Sequence, residues 1–174
     1  MPIYEKPANI HAFSGAHGTG KTTSVNALAE KMHRRYPDGM DIGVITERAR
    51  ECPYPVLSCK ADSPSAEAQL WIFSSQVNAE LDAALKYDVV ISDRTVIDCI
   101  AYTIYFQHAC LADAMIEMAA QHVHHYADIV FKCIGANPWQ LPDGFRDMNA
   151  GVRQSIETIM LNLYEELDMH VIMA

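Results

Sequence analysis

The stretch Gly15-Ala-His-Gly-Thr-Gly-Lys-Thr22 has the spacing G-x-x-x-x-G-K-[ST]. A chain of this composition produces that pattern by chance on the order of one time in a thousand. Its chemistry is phosphate binding. Glycines let the backbone curl with its N–H groups inward, and a helix starting at the lysine adds the positive end of its dipole. In this reading Gly15, Ala16, His17, Gly18, Thr19, Gly20, Lys21, Thr22 and Thr23 form the nucleotide seat, with His17 and Thr23 either contacting the ligand or filling space. Lys21 meets the β- and γ-phosphates, and the Thr22 hydroxyl is a Mg²⁺ ligand. A plain glycine turn is the competing reading. It leaves unexplained why an apolar run leads into the loop and helical spacing follows it.

Three further sets of residues suit work on that phosphate. Asp93 closes Val-Val-Ile-Ser-Asp, an apolar run ending in a carboxylate that can bind Mg²⁺ or its waters, or cap the next helix. The residue after it is Arg94, where many ATP-driven motors carry a glutamate that activates water, and the chain has no N-K-x-D guanine-reading sequence. A hydrolytic motor or GTPase switch is therefore disfavoured. Glu47, in Thr-Glu-Arg-Ala-Arg-Glu, stands where a second strand gives out and can orient or deprotonate a substrate hydroxyl. Arg50 lies three residues on and shares its face if the turn is helical; a surface ion pair is the alternative. Arg146 and Arg153 flank a glycine in a polar segment that reads as a lid at about 143–153. A lid arginine stabilises the charge that spreads over a migrating phosphoryl group, whereas a solvated loop would leave both merely exposed. For the acceptor, Tyr54, Trp71, Phe73 and Gln76 offer aromatic faces and one amide. Phe73 belongs to an apolar stripe and reads as core, while Trp71 lies off that stripe.

These groups need a scaffold that brings them to one place. Apolar runs predict strands at 10–13, 42–46, 88–92, 128–134 and 170–173. Helical periodicity predicts helices from 21 onward and over 65–86, 95–107, 111–125 and 152–167. In the second of these, Leu70, Phe73, Val77, Leu81 and Leu85 make the inward face. Alternating strands and helices imply a parallel sheet covered on both sides, with ligands at the carboxyl ends of its strands. Gly15, Glu47 and Asp93 all follow such ends.

Composition narrows the partners. The chain has 174 residues, half apolar and a fifth charged, and reads as one domain with a sizeable core. Its net charge of −9 disfavours general attraction to nucleic acid. No apolar run nears the roughly 20 residues that span a bilayer, and no secretion signal opens the chain. Five scattered cysteines without a C-x-x-C pair read as reduced thiols, so a cytoplasmic location is expected. His122, His124 and His125 read as a polar helix end rather than a zinc site, since no partner has ligand spacing.

The segments Gly15–Thr23, Thr-Glu-Arg-Ala-Arg-Glu, Val-Val-Ile-Ser-Asp-Arg-Thr, Asp-Ile-Val-Phe-Lys-Cys-Ile and Asp-Gly-Phe-Arg-Asp, in this order, carry a resemblance. The chain resembles the P-loop nucleoside and nucleotide kinase-like family that includes the ribosylnicotinamide kinase domain of bacterial NAD-biosynthesis regulators, an AAA-type ATPase-like domain. The resemblance implies an α/β P-loop NTPase fold, a three-layer sandwich around a five-stranded parallel sheet of the nucleoside/nucleotide kinase type. It implies ATP–Mg²⁺ as donor, Lys21, Glu47, Asp93, Arg146 and Arg153 as catalytic residues, and Thr22 with Asp93 at Mg²⁺. Glu47, Arg50, Arg94 and Trp71 are the substrate-side candidates; the Asp-Arg pair also resembles that of deoxynucleoside and thymidylate kinases, where the arginine holds substrate or donor phosphate. Relatives continue past the last strand into a loop that borders adenine, so another NTP in place of ATP is an open expectation. The expected activity is transfer of a γ-phosphate to a nucleoside, nucleotide or similar small acceptor, with no membrane partner and a homodimer left open. Phosphorylation of a nucleic-acid end and a nucleotide-binding regulator or slow NTPase are the alternatives.

Overall fold

The computed structural model describes residues 8–37, 39–56, 64–135 and 150–174. Five strands, β1 (Ile10–Ser14), β2 (Ile42–Ile45), β3 (Val89–Asp93), β4 (Tyr126–Phe131) and β5 (Ile172–Met173), form one parallel sheet in the order β2-β3-β1-β4-β5. The helices are α1 (Lys21–Arg35), α2 (Ala66–Lys86), α3 (Val96–Tyr105), α4 (Ala109–Ala120) and α5 (Ala150–Glu166). The α/β architecture expected from the sequence is the one observed. Among the described residues no helix is long and apolar enough to cross a membrane.

Strand alternation explains why the central strands are apolar almost throughout. On β3, Ile91 packs with Phe13, Val25, Leu28 and Met32 beneath α1. Its neighbour Val90 points the other way, into the larger core with Phe73, Ile100, Phe131 and Met160. With both faces covered, a strand has few positions at which a polar residue can meet water. One close approach fixes a glycine. A Cβ on Gly43 would come within 2.3 Å of the Tyr87 ring, so β2 packs there only without a side chain.

Two expected elements differ. The inward face of α2 is not the leucine stripe: Leu70, Leu81 and Leu85 are exposed, at 48%, 39% and 59%. The buried side chains are Ala68, Gln69, Ile72, Phe73, Gln76, Glu80, Ala83 and Ala84. The stripe is rotated because three polar residues, Gln69, Gln76 and Glu80, are needed inside. Periodicity of apolar residues cannot register that demand. The expected helix at 111–125 ends instead at Ala120, after which a short 3₁₀ turn (Val123–His125) leads into β4 two residues earlier than expected. His122 turns inward there, its Nε2 2.6 Å from Glu80 Oε2. β4 also ends at Phe131, three residues before the expected 134, and the remaining boundaries lie within two residues of expectation.

Candidate active site

Register places the three strand ends side by side. Phe13 pairs with Asp93 in β1 and β3, and Ile45 pairs with Ser92 in β2 and β3. Two residues beyond each pairing lie Gly15, Thr95, Glu47 and Arg94. The chain segments that leave the sheet here therefore converge before any side chain is considered.

The loop after β1 curls through left-handed glycines, with φ of 135° at Gly15, 74° at Gly18 and 86° at Gly20. A Cβ on Gly15 would meet the Lys132 carbonyl oxygen at 2.4 Å, so the position requires glycine for space as well as dihedral. Gly20 caps α1 without a side chain, and no acidic residue occupies its first turn. The free N–H groups of that turn suit an anion. The Lys21 ammonium is buried and donates to the carbonyls of Gly15 and Ala16 at 2.7 Å each. Burial lowers its pKa to about 7, helped by the nearby Arg94 charge, while Asp98, Asp93 and Glu47 pull the other way. Thr19 turns its hydroxyl onto the Ala16 carbonyl and braces the loop. Thr22 and Thr23 are exposed. Thr22 Oγ1 donates to Asp93 Oδ2 at 2.5 Å. A hydroxyl and a carboxylate oxygen so placed form the hard-oxygen donor set that Mg²⁺ takes, so these two residues fit that ion.

Beside the loop lies a cleft lined mostly by carbon, with His17, Gln69, Ile72, Tyr102 and Phe106 in its wall. Its charged rim is one cluster. Arg94 Nε and Nη2 both face Glu47 Oε1, at 2.9 and 2.7 Å, and Nη1 lies 3.3 Å from Asp98 Oδ1. Burial alone would lower the Arg94 pKa; the attraction of Glu47, Tyr102, Asp98 and Asp93 outweighs it and drives it up. Its guanidinium also lies 5.4 Å from the Tyr102 ring centroid. Glu47 is buried, and its second oxygen accepts from Arg50 Nε at 3.1 Å. Arg50 itself is half exposed.

Several contributors went unrecognised in the sequence. Asp98 accepts from the Gly15 N–H and forms a reciprocal capping box with Thr95, tying the phosphate loop to α3. The T-x-x-D spacing of that box was readable. Tyr102, one turn further along α3, meets the His17 ring nitrogen at 2.8 Å. His17 is thereby a buried tie between loop and helix. Gln69 carried no signal apart from its polarity in a helix.

Other candidates lie elsewhere. Trp71 and Tyr54 line a separate depression on the outer side of α2. Phe73 is core, and Gln76 belongs to a buried network below the sheet edge. Arg153 is 8% exposed in the first turn of α5, and its Nε has no hydrogen-bond partner among the described residues. Arg146 lies outside the described residues, as does most of the expected lid.

A loop of this form between a central strand and a helix, on a sheet of this order, defines a P-loop protein. The chain belongs to the family described as AAA domain, whose model matches residues 10–174. Among solved structures, thymidylate kinase from Ehrlichia chaffeensis is similar over 97% of this chain and 90% of its own, with a TM-score of 0.62 and 17% sequence identity. That likeness gives the fold, which is the nucleotide-kinase form of the P-loop architecture. A comparison with curated protein sequences gives no match.

Proposed function

We propose that the protein is a kinase that moves the γ-phosphate of ATP, or of another NTP, to a hydroxyl of a nucleoside or nucleotide bound in the cleft. The observation that carries this reading is the placement of Glu47. Its buried carboxylate borders a largely apolar cleft whose other wall includes His17 of the phosphate loop. A hydrolytic enzyme needs a water there; a cleft of aromatic and aliphatic side chains suits a ring.

In this mechanism the loop N–H groups and Lys21 hold the donor phosphates, Lys21 exchanging its bonds to Gly15 and Ala16 for phosphate oxygens. Thr22 and Asp93 would hold Mg²⁺, which would offset negative charge on the donor phosphates. Glu47 accepts a hydrogen bond from the acceptor hydroxyl and takes its proton. As the acceptor oxygen bonds to phosphorus, the bond from phosphorus to the β,γ-bridging oxygen breaks and the nucleoside diphosphate leaves. Arg146 of the lid, with Arg153 from the first turn of α5, stabilises the charge on the migrating group.

Of the two acceptor classes, the rim favours an uncharged nucleoside. Among the described residues its charged groups are Glu47, Asp98 and Arg94, two carboxylates to one guanidinium, and the guanidinium is engaged by both. An incoming monophosphate would have to compete with those carboxylates for Arg94, the cation that the described residues place in that rim.

The test is ADP release with ATP–Mg²⁺ against panels of nucleosides, monophosphates and oligonucleotides. Nucleoside-dependent release is expected. Equal release with and without every acceptor would identify an NTPase and overturn the proposal.

A further inference from the structure

Below the strand ends lies a fully buried carboxylate that the mechanism does not use, Glu80 of α2. His122 Nε2 stands 2.6 Å from its Oε2, and Tyr126 donates to both oxygens at 2.9 and 3.1 Å. Gln76 Nε2 donates to Oε1 at 2.8 Å. Placing a carboxylate where α2 meets the sheet is costly unless such partners surround it, and an apolar residue would fill the space without that cost. Stability therefore does not explain the choice of residue. The destination of the network does.

Two branches leave Glu80, and both end on the turn that carries Arg94. In one, Gln76 Nε2 also donates to Ser92 Oγ at 3.0 Å, and Ser92 Oγ donates to the Arg94 carbonyl at 2.8 Å. In the other, the Tyr126 hydroxyl accepts from the Val96 N–H at 2.9 Å. The carbonyl of Arg94 and the N–H two residues on are thus each tied to one carboxylate. Between them Arg94 has φ of 102°, a conformation that a side-chain-bearing residue holds only when its surroundings impose it. Its own N–H is fixed to the Phe13 carbonyl at 3.0 Å. From this turn the guanidinium reaches Glu47 Oε1, with Nε at 2.9 Å.

We propose that Glu80, acting through Gln76, Ser92 and Tyr126, is a positioning residue that holds the Arg94 turn in its strained form and so sets the contact between Arg94 and Glu47. The consequence for phosphoryl transfer rests on the function proposed above; the consequence for Arg94 does not. The branch through Ser92 is the cleaner one to cut, because Glu80 variants risk unfolding the chain. Ser92→Ala and Gln76→Met each remove one link and leave the carboxylate in place.

The experiment follows the Arg94 Nε–H by ¹⁵N NMR in full-length protein, together with nucleotide affinity and acceptor kinetics. In both variants the Arg94 Nε–H is expected to shift and lose protection from solvent exchange, while ATP–Mg²⁺ affinity stays as in the wild type. Where the wild type phosphorylates an acceptor, kcat falls by up to about 10²-fold, the effect of a misplaced catalytic group, with the KM for ATP unchanged. An Arg94 resonance that keeps its shift and protection in both variants overturns the proposal. A wild type that transfers to no acceptor defeats only the proposed function, since the resonance still decides the role of Glu80.

Discussion

The proposed donor and acceptor sides of this site are built in opposite ways. The phosphate loop is nine consecutive residues, shaped by its own glycines and by bonds within a few positions, such as Lys21 to Gly15 and Ala16, and only then tied outward to Asp93, Asp98 and Tyr102. The acceptor side is assembled from residues far apart in sequence: Glu47 after β2, Gln69 on α2, Arg94 after β3, and Asp98 and Tyr102 on α3. A local device carries its geometry with it. An assembled one depends on every element that supplies it. Substitutions on the two sides should therefore fail differently, and they can be ranked by the size of the failure.

The largest effect is expected at Lys21. Lys21→Ala removes the ammonium proposed to meet the β- and γ-phosphates together with its hydrogen bonds, so turnover is expected to be abolished and ATP–Mg²⁺ binding greatly weakened. Calorimetric titration checks this, and near-normal affinity would remove the basis for a donor side. Glu47→Gln comes next and should split the two sides apart. Donor affinity survives because the loop is untouched, while transfer falls by about 10²–10⁴-fold, the usual contribution of a positioned acid or base. If the rate is unchanged with an acceptor the wild type uses, Glu47 is no more than the partner of two arginines.

The same contrast governs what could be read from sequence. The loop was legible because its chemistry and its spacing coincide in one segment. The strand ends were legible because an apolar run stopping at Asp93 or Glu47 marks the edge of a parallel sheet. The acceptor wall was not. Trp71 has the right chemistry but faces a different depression, whereas Gln69, two positions away, lines the cleft. Helical periodicity favoured Leu70, Leu81 and Leu85 as the inward face and so misjudged the rotation of α2, which is set by polar residues satisfied inside. His122 shows the same blindness. Nothing in Gln-His-Val-His-His signals that the first histidine meets a carboxylate 42 residues earlier.

Arg153, buried in the first turn of α5, tests whether the proposed lid contributes to transfer. Its Nε is buried without a partner among the described residues, and such a group costs about 1–3 kcal/mol. Arg153→Met keeps the length of the side chain and removes that cost. The variant is expected to unfold at the same or a higher temperature while kcat drops by roughly 10-fold or more, with ATP affinity little altered. Thermal melts alongside steady-state kinetics separate the outcomes. A lower melting temperature with normal kcat would make Arg153 a packing residue.

The smallest effect comes from the donor side alone, through the proton on Lys21. Burial holds its pKa near 7 in the folded protein against 10.5 as the ordinary value. Between those pH values the unfolded chain binds more protons than the folded one, so stability rises with pH across the interval. From about pH 9 upward the opposite contribution begins, because burial raises the pKa of the Cys99 thiol and, higher still, of the Tyr126 and Tyr164 phenols. The clean window is therefore pH 7 to 9, where a gain of about 2 kcal/mol is the upper limit for one group. Chemical denaturation across that window should show the rise, and Lys21→Met should flatten it. Phosphate binding reverses the linkage, since an anion favours the charged ammonium. At pH 8 nucleotide binding should therefore take up close to one proton, visible as a binding enthalpy that changes with the ionisation enthalpy of the buffer. Lys21→Met removes that dependence if Lys21 is the group responsible. A buffer-independent enthalpy in the wild type would show that Lys21 is already charged before the nucleotide arrives.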